Sequence, residues 1–111
     1  MRKNLQYLQI TTTTDKREEA EQIAILLVEK YLAACVQIIG PITSVYRWHE
    51  KIENTTEWLC QIKTIPELYD SVEKEILAVH SYQLPEIIAV PIADGYLRYF
   101  DWLRDQLHSV S

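Results

Sequence analysis

Three groups of side chains in this sequence have types and spacings suited to binding chemistry, and the first lies in "VHSYQLPEIIAVPI", Val79 to Ile92. Imidazole suits Cu(II), Zn(II) and Ni(II), so His80 is a candidate metal ligand, and Glu86 in the same loop would add a carboxylate. One histidine and one glutamate are an incomplete ligand set, which a neighbouring subunit could complete. The structural alternative is that His80 stands where a helix should end, where a partly positive imidazole complements the helix dipole.

The second group is Lys63, Tyr82 and Glu86: an ammonium at the end of a hairpin, with a phenol and a carboxylate in the helix-to-strand loop. They could pair with one another, Tyr46 adding a cation–π contact to Lys63, or line a cleft for a small anionic ligand. The third is His49 with Cys60, a combination favoured by zinc and copper, which requires one particular hairpin register. Otherwise Cys60 is a small apolar core residue.

Catalytic groupings are missing. Ser44, Ser71 and Ser81 have no adjacent base and orienting acid, and no carboxylate pair divides acid and base roles. "HEKIE" is not the HExxH zinc motif, and on a strand its residues would not converge. The expectation is a binding protein and not an enzyme.

These residues must be positioned by one domain, since 111 residues bury roughly two thirds of their unfolded surface around a single core. Apolar residues make up 48% and charged residues 24%, the balance of an ordinary globular chain with no low-complexity tract. With only two glycines there is no glycine-rich phosphate loop. A net charge of −5 argues against nucleic acid and anionic lipid, whose binding needs a basic field. "MRKNLQYLQI" has no apolar signal region and no apolar run reaches spanning length, so the expectation is a cytoplasmic protein without a membrane partner. Cys35 and Cys60 fit reduced, packed thiols, and Asn54-Thr55-Thr56 is a glycosylation sequon without meaning in that compartment.

Along the chain, Leu5 to Ile10 reads as a strand ending in a "TTTTD" turn. Asp15 and Glu18 have capping-box spacing, and Ala20, Ile23, Ala24, Leu27, Val28 and Tyr31 share one helical face. "LAACVQIIG" reads as a strand stopped by Gly40-Pro41. "TSVYRWHEKI" and "EWLCQIKT" flank the polar "ENTT" as hairpin arms, a register that sets Tyr46 opposite Lys63, Trp48 opposite Gln61 and His49 opposite Cys60. Both hairpin faces then carry aromatics, which calls for a face-changing bulge, a second subunit, or both. Trp48 and Trp58 fit interface and core positions.

Pro66 opens a second helix, with Leu68, Tyr69, Val72, Ile76 and Val79 on its inner face and its end near His80. "EIIAVPI" is a short strand whose Pro91 implies an edge. Tyr96, Phe100, Leu103 and Leu107 mark a terminal helix that Trp102 should pack down. The order β-α-β-β-α-β plus a helix is the α+β, ferredoxin-like arrangement, two helices on one face of an antiparallel sheet, with an extended hairpin. The uncovered face makes self-association the economical answer.

"EKYLAACVQIIGPITSVYRWHEKIENTTEWLCQIKT", "HSYQLPEIIAVPI" and "YFDWL" together resemble the CutA divalent-cation tolerance proteins, from about Asn4 to Leu107. Several separated motifs in the right order make the likeness more specific than any one of them. It implies a ferredoxin-like domain in a tight homotrimer, similar in architecture to the nitrogen-regulatory PII proteins. It also implies a role in tolerance of copper and other divalent cations, with no obligatory cofactor and no established catalysis. Some members bind copper, and animal relatives are linked to membrane anchoring of acetylcholinesterase. By this resemblance the chain binds Cu(II) or another divalent metal, or acts as a PII-like small-ligand sensor or scaffold with incidental metal binding.

Two departures from the family pattern stand out. His80-Ser81-Tyr82 replaces the family's His-Pro-Tyr and removes a rigid turn element. The Thr11 to Thr14 run offers no thiolate where some members carry a strand-end cysteine proposed as a copper ligand.

Overall fold

The computed structural model describes residues 6–108. Its elements are β1 (Leu8–Thr14), α1 (Arg17–Glu29), β2 (Cys35–Trp48), β3 (Lys51–Thr64), a 3₁₀ turn at Pro66–Leu68, α2 (Tyr69–Val79), β4 (Ile87–Pro91) and α3 (Leu97–Asp105). The four strands form one antiparallel sheet in the order β2-β3-β1-β4, the ferredoxin-like topology. Leu5, read as a strand start, lies outside the described residues.

The threonine run is strand and not turn. β-Branched side chains fit a pleated surface, and Thr11 to Thr14 pair with Gln61 back to Trp58 on β3. Thr12 and Thr14 turn inward and are fully buried. The chain turns only at Asp15, and the residue preceding α1 is Lys16, without a side-chain cap; Asp15 and Glu18 form no capping box. Thr14 Oγ1 instead donates to the Lys16 carbonyl at 2.8 Å.

The core lies between one sheet face and the helices. Ala20, Ile23 and Leu27 of α1 and Val72 and Ile76 of α2 pack with Ile10, Cys60 and Ile62 of the sheet. Val28 and Tyr31, placed on the α1 stripe by periodicity, are exposed. Tyr31 instead ends the helix at φ 60°, where its N–H donates to the Val28 carbonyl and that of Leu32 to the Leu27 carbonyl, a Schellman cap. Phe100 and Leu103 anchor α3, with Phe100 stacked on Tyr7 at 4.2 Å, while Trp102 is exposed. Pro91 closes an edge strand, as its missing N–H requires.

The hairpin differs most from expectation. Gly40-Pro41, a cis peptide, does not end β2, and the strand continues to Trp48 through a register shift between Ile39 and Ile42. "ENTT" is strand, and the chain reverses at His49-Glu50, whose φ values of 50° and 67° make a two-residue primed turn. Tyr46 therefore faces Glu53, Trp48 faces Lys51, Lys63 faces Cys35, and Cys60 faces Ile38. Because β1 pairing stops at Trp58, the segment Lys51 to Glu57 projects beyond the sheet by about 20 Å at 3.3 Å per residue.

The bulge sets which side chains share a face. Before it, Val36 and Ile38 lie on the helix side with Ile62 and Cys60. Ile39 pairs with Leu59 but Ile42 with Glu57, so the extra β2 residue shifts the alternation. Ser44, Tyr46 and Trp48 consequently line up with Thr55, Glu53 and Lys51 on the face away from the helices.

Candidate functional site

Where α2 gives way to β4, the chain crosses the base of the projecting hairpin. His80 is the first residue past α2, and its side chain is 1% exposed. The N–H of Tyr82 donates to His80 Nδ1 at 3.1 Å, so Nδ1 carries a lone pair and not a proton. His80 Nε2 then donates to the Thr13 carbonyl at 2.8 Å. Glu19 Oε2 lies 3.5 Å from Nδ1 and accepts the Ser81 N–H at 3.2 Å. Both imidazole nitrogens are thus used, Nε2 in holding the loop to β1 and Nδ1 in shaping the loop itself, while the Ser81 N–H ties the loop to Glu19 of α1.

Tyr82, two residues on, reaches the hairpin, and its phenol donates to Glu57 Oε2 at 2.6 Å. Burial, then the hydrogen bond to and negative charge of Glu57, with a smaller effect of Asp15, push the Tyr82 phenol well above its ordinary range. Glu57 is 5% exposed, and among the described residues it makes no ion pair.

Between this loop and the hairpin lies a groove of about 940 Å³. Four carboxylates line it, those of Asp15, Glu53, Glu57 and Glu86, against one guanidinium, that of Arg47. Its aromatic wall is Tyr46, Trp48 and Tyr82. Glu86 is exposed at the rim.

The structure brings together Tyr82 and Glu86 of the expected residues, places His80 behind them, and separates Lys63 from all three. Lys63 lies six residues along β3 from Glu57, about 20 Å at strand rise, and donates to Gln37 Oε1. It meets neither Tyr46 nor the loop. The His49–Cys60 pair is also corrected: His49 is in the hairpin turn with its ring 4.9 Å from Trp48, while Cys60 is buried in the core. Burial pushes the Cys60 thiol up to about 11, and its Sγ lies 3.6 Å from the Ala20 carbonyl. Among the described residues, no three His, Cys, Asp or Glu side chains converge as a metal site.

Glu53 and Glu57 were not expected. Their signal was in the sequence, as two glutamates at even spacing on one strand, but it appears only once "ENTT" is read as strand.

The model of the CutA1 divalent ion tolerance protein family matches residues 8–106. The chain is 41% identical over 96 residues to the divalent-cation tolerance protein CutA of Thermus thermophilus, covering 86% of this chain and 93% of that one. It is 41% identical over 99 residues to human protein CutA, 89% of this chain but 55% of the human one, so it spans about half of that relative. The solved structure of CutA from Archaeoglobus fulgidus, described as a periplasmic divalent cation tolerance protein, matches with a TM-score of 0.89 at 42% identity, covering 92% of this chain and 99% of that one.

Proposed function

The chain belongs to the CutA1 divalent ion tolerance family, and on that premise we propose that it acts without catalysis, as a cytosolic homotrimer binding a divalent cation, copper foremost, in the groove beside Tyr82. The observation that carries the proposal is the groove's lining of four carboxylates against one guanidinium, a field that concentrates cations. Glu86, exposed at the rim, is the ligand that this chain offers, and a neighbouring copy completes the set. His80 sets the loop that presents Glu86; to ligate metal itself, it would have to release the Thr13 carbonyl or the Tyr82 N–H.

Self-association is supported by the hairpin's exposed Val45, Tyr46 and Ile52, by Ile39, Ile88 and Val90 on the face away from the helices, and by the two edge strands β2 and β4. A cytosolic setting suits the free thiols of Cys35 and Cys60. Among the described residues no helix is long and apolar enough to cross a membrane.

Native mass spectrometry with and without equimolar Cu(II) tests this reading. The expected result is a trimer taking up metal in multiples of three, with uptake reduced in Glu86→Gln. A trimer that ignores copper overturns the metal assignment, and a monomer overturns the assembly. Uptake lost in His80→Ala but retained in Glu86→Gln would give the ligand role to His80.

A second reading, a small organic ligand in the same groove, is favoured by the aromatic wall of Tyr46, Trp48 and Tyr82.

A further inference from the structure

We propose that the groove recognises a linear aliphatic polyamine, its ammonium groups held by Glu57 and Glu53 and its methylene chain crossing Ser44 and Thr55 to end against Tyr46. The inference rests on the second reading of the groove and gives that reading a ligand class.

Spacing separates this ligand from a bare metal ion. Glu53 and Glu57 are four residues apart on one face of β3, so their Cα atoms are about 13 Å apart at 3.3 Å per residue. A single ion with metal–oxygen bonds of about 2.0–2.6 Å is a poor fit to two carboxylates that stand side by side on a strand at this separation. Two positive groups joined by a flexible stem meet both without moving the backbone.

Between the two acids a stem would cross Thr55 and its partner Ser44, and at the outer acid it meets aromatic surface. Tyr46 lies directly opposite Glu53, and Trp48 follows on the same face of β2 beyond it, toward the hairpin tip and opposite Lys51. Their rings offer apolar contact to methylenes and cation–π attraction to an ammonium. Thr55 lies between the glutamates on that face, and its buried hydroxyl has no hydrogen-bond partner among the described residues.

The deep end selects the type of nitrogen. Glu57 is 5% exposed, and its Oε2 accepts from the neutral phenol of Tyr82. A cation carrying N–H groups can donate to Oε1 and neutralise the buried charge, whereas a quaternary ammonium has no hydrogen to donate. Asp15 and Glu86 add to the negative field at the margins.

Isothermal titration of the full chain with spermidine, alongside choline and Cu(II), tests the proposal. Spermidine should bind saturably at one site per chain, with choline much weaker and affinity falling as salt rises. In a ¹H–¹⁵N correlation spectrum, the amides of Glu53, Thr55, Glu57 and Tyr82 should shift. Glu57→Gln, which keeps an acceptor for Tyr82, should weaken binding roughly tenfold or more, and Glu53→Gln should weaken it less.

Absence of saturable spermidine binding overturns the proposal, as does unchanged affinity in Glu57→Gln or shifts confined to other surfaces. Copper uptake without spermidine binding would overturn it while leaving the metal reading standing. Spermidine binding without copper uptake would support it and overturn the metal reading. Equal affinity for choline and spermidine would remove the role given to N–H donors and overturn the choice of ligand.

Discussion

Tyr82 and Glu57 join two elements that the rest of the fold leaves apart, since the 2.6 Å phenol-to-carboxylate bond ties the loop leaving α2 to the base of the projecting hairpin. Behind it, the bonds of His80 to Thr13 and Tyr82 fix the same loop to β1. The groove therefore has one wall from a pinned loop and one from a strand pair.

Removing that bond leaves a nearly buried carboxylate without its donor. Tyr82→Phe should lower stability by about 1–3 kcal/mol, read as a shift of the urea midpoint at unchanged slope. A double-mutant cycle with Glu57→Gln should show coupling between the two sites. An unshifted midpoint would mean that water serves Glu57 as well as Tyr82 does.

Alkaline pH should destabilise the protein in two stages. Burial raises the Cys60 thiol from its ordinary 9.0 to about 11, and burial together with Glu57 raises the Tyr82 phenol. In both cases the unfolded chain loses its proton first, so stability is complete below the unfolded value and falls as pH rises toward the folded one. The thiol contribution should decline from about pH 9 to 11, and the phenol contribution from about pH 10 upward. Urea unfolding across this range should show a shallower decline in Cys60→Ala near its start and in Tyr82→Phe near its end. A decline identical in all three proteins would assign it to other groups.

The hairpin tip carries a conformational cost that substitution can relieve. His49 and Glu50 both have positive φ, where a Cβ is disfavoured and Asn-Gly is the preferred pair. Replacing them together, His49→Asn with Glu50→Gly, should stabilise the chain by about 1 kcal/mol, less what is lost with the 4.9 Å contact of His49 on Trp48. The thermal midpoint should rise by a few degrees, on the scale of about 4–8 °C per kcal/mol. A fall would show that the His49 ring contributes more than the turn costs.

That tip explains why the hairpin was the least legible part of the sequence. Helical stripes such as Ala20, Ile23 and Leu27 announce themselves by period, and the β-α-β-β-α-β order followed from them. A turn at His-Glu carries no turn residues, whereas "ENTT" looks like one, and the error displaced every cross-strand partner from Tyr46 to Lys63. Tyr82 and Glu86 were visible because their loop is short and lies between clear elements. Glu53 and Glu57 acquire meaning only from register, which depends on a bulge at Gly40-Pro41, a pair that reads locally as a strand end. The four threonines were misread for the opposite reason: they look polar, but their branched side chains pack in the sheet.

Gly40 holds that bulge for reasons of space. A Cβ there would lie 2.3 Å from Trp58 Cδ1, 2.7 Å from Cγ and 2.9 Å from Nε1. Trp58 packs against the core, so its ring has little room to withdraw. Gly40→Ala should therefore cost about 1–3 kcal/mol, the range for overpacking, and should perturb tryptophan fluorescence. Introduced beside Trp58→Phe, whose smaller ring frees space, the same change should cost less, and the difference is the coupling between the two positions. If Gly40→Ala costs the same in both backgrounds, the ring is not the obstacle. If it is tolerated outright, the bulge does not depend on glycine, and the arrangement of Tyr46 and Trp48 beside Glu53 must be maintained by the rest of the hairpin.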